Sequence, residues 1–170
     1  FSDENIAFVD GVRSPNVTFK VMFNYKNSCF TIINRTGTAY VGTITCNLSK
    51  ELQPIAFEIN NISHFKNLFF RRKSRLKISS NNSNIHYFIL NNEYYKRLEQ
   101  IAHRDKFDPT ITCKPEDTWD IVTNYHLEFE NWIEPLEPII NLYKDLIDEF
   151  EKRIANLSLK SYKEMKRKTI

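Results

Sequence analysis

The sequence predicts an α+β fold: a mainly antiparallel β body of about seven to eight strands, a short mid-chain helix and one long C-terminal amphipathic helix. Three observations carry this. Period-two alternation of apolar and polar residues recurs at short spacing through the first 60 residues. The apolar spacing becomes helical after Pro135. The composition, 41% hydrophobic and 26% charged over 170 residues, is that of a globular chain large enough for a sizeable core. Residues 1–134 form the strand-rich body, and 135–170 form a helix that packs on it or joins two copies; together they make one domain.

The elements follow in order. Residues 1–15 are a lead-in with a short strand at Ile6–Val9. Val17, Phe19, Val21, Phe23 and Tyr25 then share one face of a strand, and Lys26-Asn27-Ser28 turns it. Cys29–Asn34 is the next strand, and Arg35-Thr36-Gly37-Thr38 supplies a second turn. Tyr40, Gly42, Ile44, Cys46 and Leu48 alternate again, as do Ile55, Phe57 and Ile59 beyond a turn at Ser49–Gln53. Four strands so closely spaced predict an antiparallel meander.

Ser63 is placed to cap a helix at His64–Phe70. A basic run leads from it into a strand at Leu76–Ser79. Ser79–Asn84 is polar and turn-like, whereas Ile85–Leu90 is apolar on both faces and reads as a central strand. Asn92 caps a helix from Glu93 to about His103, with Tyr94, Leu98 and Ile101 inward. Pro109–Lys114 and Trp119–Phe129 form a hairpin around Pro115-Glu116-Asp117. Pro135 and Pro138 suit the first turn of the last helix. Its Leu136, Ile140, Tyr143, Ile147, Phe150, Ile154 and Leu157 repeat with heptad spacing. Such a seam either closes the chain's own core or, through Ile140, Tyr143, Ile147, Phe150, Ile154 and Leu157, mediates homo-oligomerisation.

Charge is segregated. Residues 61–115 carry 11 basic and 4 acidic side chains, whereas residues 116–159 carry 3 basic and 11 acidic. The total of +3 conceals these opposed blocks. Arg71, Arg72, Lys73, Arg75 and Lys77 lie close in sequence to aromatic residues including Tyr87 and Tyr95. Cations beside aromatic rings offer both phosphate contacts and stacking surfaces. These seven residues are therefore the expected site for an anionic ligand, such as a nucleotide or nucleic acid, or for an acidic protein surface. The alternative is that the opposed blocks pair with each other, setting register rather than stability.

No phosphate-binding glycine loop, nucleophile elbow or zinc-protease motif occurs. His64, His86, His103 and His126 are dispersed, so neither a metal site nor a cofactor is expected. The three cysteines, Cys29, Cys46 and Cys113, sit in apolar strand-like segments and read as buried thiols in a reducing, cytoplasmic compartment. Six Asn-x-Ser/Thr sequons, Asn34 among them, matter only in a secreted eukaryotic protein. No apolar run reaches the roughly 18 residues needed to span a membrane. The chain opens on Phe1 rather than Met, so a fragment or processed form is expected, with any membrane tether preceding Phe1. The functional expectation is a non-enzymatic binding or sensor domain, the soluble part of a larger or membrane-attached bacterial protein. The alternatives are a purely structural interaction module and an enzyme without local motifs.

Overall fold

The computed structural model describes residues 17–36, 41–62, 74–105, 107–127 and 131–168, with side chains described over 20–35, 41–62, 74–105, 107–127 and 131–155. The expectations for Ile6–Val9 and for a helix at His64–Phe70 lie outside these residues.

Seven strands are described: β1 (Val17–Tyr25), β2 (Ser28–Thr36), β3 (Val41–Asn47), β4 (Phe57–Asn61), β5 (Leu76–Ser79), β6 (Thr110–Cys113) and β7 (Asp120–His126). Three helices accompany them: α1 (Ser83–Asn91), α2 (Glu93–Arg104) and α3 (Leu136–Lys168). All pairings are antiparallel, in the order β1-β2-β3-β7-β6-β4-β5. The fold is therefore α+β, as its sequence predicts. The expected four-strand meander stops at three. The β7–β6 hairpin separates β3 from β4, because β7 takes the open edge of β3 over its whole length, from Val41↔His126 to Asn47↔Asp120.

The register explains which face is core. Val21, Ile32, Ile44, Thr123, Ile111, Ile59 and Ile78 form one row across all seven strands, on the side covered by helices. The adjacent row, Met22, Thr31, Thr45, Val122, Thr112, Glu58 and Ser79, lies on the other face and is half-buried or exposed. Lys26, with φ of +52°, makes the two-residue β1–β2 turn, and its ammonium reaches Asp148 at 2.6 Å and Glu151 at 2.5 Å on α3. Gly42 lies between Asn34 and Tyr125 in the register; a Cβ there would run into the Tyr125 ring, so a side chain at this position would force the ring to shift.

Ile85–Leu90 is not a strand but most of α1. The Asn82 side chain accepts the N–H groups of Asn84 and Ile85, satisfying the start of a helix. Ile85 and Ile89, four residues apart, are both fully buried, while Tyr87 and Leu90 turn outward. Asn92 ends α1 and caps α2 by accepting from Tyr94 N–H at 2.9 Å and Tyr95 N–H at 3.2 Å. Its Nδ2 donates to Asp145 on α3 at 2.6 Å and its backbone N–H to the Phe88 and Ile89 carbonyls of α1, so one residue joins three helices.

In α3 the fully buried stripe is Ile139, Leu142, Tyr143, Leu146, Ile147 and Phe150. That spacing is the broad face of a core helix rather than a coiled-coil seam. Each such side chain contributes about 1.5–3 kcal/mol relative to exposure. Tyr143, Ile147 and Phe150 are thus occupied by the chain's own core and do not form a seam between subunits. Ile140 and Ile154 are half-buried against the same core, and the side chain of Leu157 lies outside those described. Tyr143 also shares a 2.5 Å hydrogen bond with Thr123 of β7, which locks α3 to the sheet. Among the described residues no helix is long and apolar enough to cross a membrane.

Candidate functional site

The described sheet ends at β5, and α1 follows it after a short polar turn. A groove of about 430 Å³ runs between them. Ile62, Leu76, Ile78 and Leu90 give it apolar walls, Tyr95 and Ser74 line it further, and Lys77 and His86 are its cationic or titratable groups. No carboxylate is among these lining residues. On the opposite flank of α1 a second groove of about 430 Å³ is lined by Asn84, Tyr87, Phe88, Asn91, Asn92 and Glu149. Between them stands a ridge with two exposed apolar side chains, Tyr87 at 69% and Leu90 at 47% exposed.

The edge of β5 is half closed by its own domain. Ile62 N–H donates to the Arg75 carbonyl at 2.7 Å, which fixes the alternation of the β4–β5 ladder. Leu76 and Ile78 must then turn their backbone N–H and C=O groups outward. The Glu99 carboxylate of α2 accepts the N–H of Leu76 at 2.9 Å and, with its other oxygen, the N–H of Arg75. The Leu76 carbonyl accepts from Ser74 Oγ at 2.6 Å and from the Tyr95 hydroxyl at 3.3 Å. Glu99 and Tyr95 thereby occupy the places a further strand would fill. Among the described residues, no such partner meets Ile78.

The seven sequence-predicted binding residues are only partly brought together. Lys77 and Tyr95 line the same groove, and Tyr87 lies across the α1 ridge. Tyr95 is not a stacking surface: it is 4% exposed, and burial with the nearby Glu99 charge pushes its hydroxyl up to about 12, so it remains a neutral donor. Its place in the apolar stripe with Leu98, Ile101 and Ala102 explains this. Arg75 turns toward the C-terminal end of α2, its Nε donating to the Ala102 carbonyl at 3.4 Å, where helix carbonyls favour a cation. Arg71, Arg72 and Lys73 lie outside the described residues. Sequence reasoning missed His86, Leu90, Ile78 and Glu99; with α1 read as a strand, no face could be assigned to the first two.

Other chemistry-bearing groups are committed elsewhere. Burial pushes the Cys113 thiol up to about 12 and Cys46 higher still, so both stay protonated and weakly nucleophilic. Among the described residues no three His, Cys, Asp or Glu side chains are grouped to hold a metal. A third cleft, about 310 Å³, lies beside the β1–β2 turn, and its Glu151 is already paired with Lys26. The chain matches no protein-family model and no curated protein. Fold and groove together define a two-layer antiparallel α+β arrangement with an apolar-walled groove, lined also by Lys77 and His86, at one edge of the described sheet.

Proposed function

We propose that this protein is a non-enzymatic binding module and that the groove between β5 and α1 takes an anionic ligand or an acidic protein surface. The observation that carries the reading is the groove's composition: apolar walls, Lys77 and His86 as its basic groups, and no acidic side chain lining it, the neighbouring Glu99 being engaged by the N–H groups of Arg75 and Leu76. Its open form beside the exposed Tyr87 and Leu90 favours a macromolecular segment over a small molecule, which ordinarily fills an enclosed cavity. Lys77 is exposed and screened by salt, so it steers and orients the ligand more than it adds affinity.

Titration with polyglutamate and with tripolyphosphate, read by thermal shift, tests this. The wild-type chain should be stabilised at low ionic strength, and Lys77→Glu with His86→Ala should remove the shift. A separate variant reversing Arg71, Arg72 and Arg75 asks whether the neighbouring basic run contributes to the same binding. Undiminished shifts in Lys77→Glu/His86→Ala would refute the groove as the site.

A further inference from the structure

We infer that the groove's occupant is an extended acidic segment of a partner protein, added as a short strand beside β5 and hydrogen-bonded to Ile78. This deepens the binding reading above and rests on it. The groove is bounded on one side by β5 and on the other by α1, so a segment seated in it lies beside the β5 edge. The alternation fixed by the Ile62–Arg75 hydrogen bond turns the Ile78 N–H and C=O outward, where a protein backbone can take the place of water as their partner. A strand laid there supplies both at one residue, which is the main-chain part of strand addition.

The domain also limits that addition. Glu99 and Tyr95 hold the outward groups of Leu76, so pairing starts at Ile78 and runs toward Ser79 rather than back toward Arg75. Short reach is what keeps an edge strand from indiscriminate pairing. Specificity then falls to side chains. On the helix-covered face, Ile78 and Leu90 accept an apolar residue with His86 beside them, and on the other face Lys77 accepts a carboxylate. Alternation along a strand places such residues on opposite faces, so the segment is acidic on one side and apolar on the other. The exposed Lys77 ammonium disfavours a basic segment.

Selection from a display library of random octapeptides tests the inference, followed by hydrogen exchange on the complex. Enriched peptides should alternate acidic and apolar residues, lose about tenfold in affinity against Lys77→Glu, and slow exchange of the Ile78 amide by about tenfold or more. N-methylation of the peptide's backbone should abolish binding while leaving its charge unchanged. Three results overturn the inference: no enrichment, enrichment of basic peptides, or binding without protection of Ile78. Were tripolyphosphate to bind in a Lys77-dependent way while peptides did not, the anion-binding reading would stand and the strand-addition inference would fail.

Discussion

Replacing Glu99 by Ala removes the group that closes half of the β5 edge. The side chain is 18% exposed, and its two oxygens accept the N–H groups of Arg75 and Leu76. Hydrogen bonds to a charged acceptor contribute about 1.5–3 kcal/mol each, and an unsatisfied buried donor costs about 1–3 kcal/mol. Water in the adjoining groove can reach part of this edge, which places the loss near the lower end, about 2–4 kcal/mol for the pair. For a chain of 170 residues this lowers Tm by about 4–16 °C. Glu99→Gln keeps one acceptor oxygen but turns an NH₂ group toward the second N–H, so it should fall between wild type and Ala. Urea unfolding of the three proteins, with hydrogen exchange at Leu76, measures the effect. If Glu99→Ala costs less than about 0.5 kcal/mol, the carboxylate is not what satisfies this edge.

Three further outcomes follow from the core. Tyr143→Phe should cost about 1–2 kcal/mol by orphaning Thr123, and Thr123→Val in the same protein should recover much of it in a double-mutant cycle. Gly42→Ala should cost about 1–3 kcal/mol in urea unfolding because the new methyl meets the Tyr125 ring. In the folded protein at neutral pH a thiol reagent should label half-buried Cys29 well before buried Cys46 and Cys113. Their folded-state thiol pKa values are raised, so the thiolate form is disfavoured by folding, and stability contributed by these groups is present below the ordinary thiol pKa and lost as pH rises past it.

The strands were legible because each presents one face to helices and one outward, which enforces period two from Val17 through Ile59 and again from Ile121 to Tyr125. Their order was not. β3 and β7 pair at a separation of about 80 residues, and nothing local distinguishes that from pairing with β4. Ile85–Leu90 misled because Ile, Tyr and Phe are good strand formers and the run is short. The countersignal was present in Asn82 and Asn92, which bracket it as helix caps, and in Ile85 and Ile89 at helical spacing. In α3 the heptad positions Tyr143, Ile147 and Phe150 are buried together with Ile139, Leu142 and Leu146, as the core-closing reading of the seam expects, whereas Leu136 and Ile140 are only half-buried. The groove could not be seen in sequence at all, because it needs α1 folded back against a strand edge, and Lys77 signalled it only as one charge in a basic run.

A titration of the isotopically labelled protein with polyglutamate, followed residue by residue in amide NMR spectra, tests the binding groove most directly. Shifts should concentrate at Lys77, Ile78, His86 and Leu90, grow as salt is lowered and vanish in Lys77→Glu. Shifts confined to the open sheet face around Thr45 and Val122, or spread evenly over every exposed cation, would contradict it.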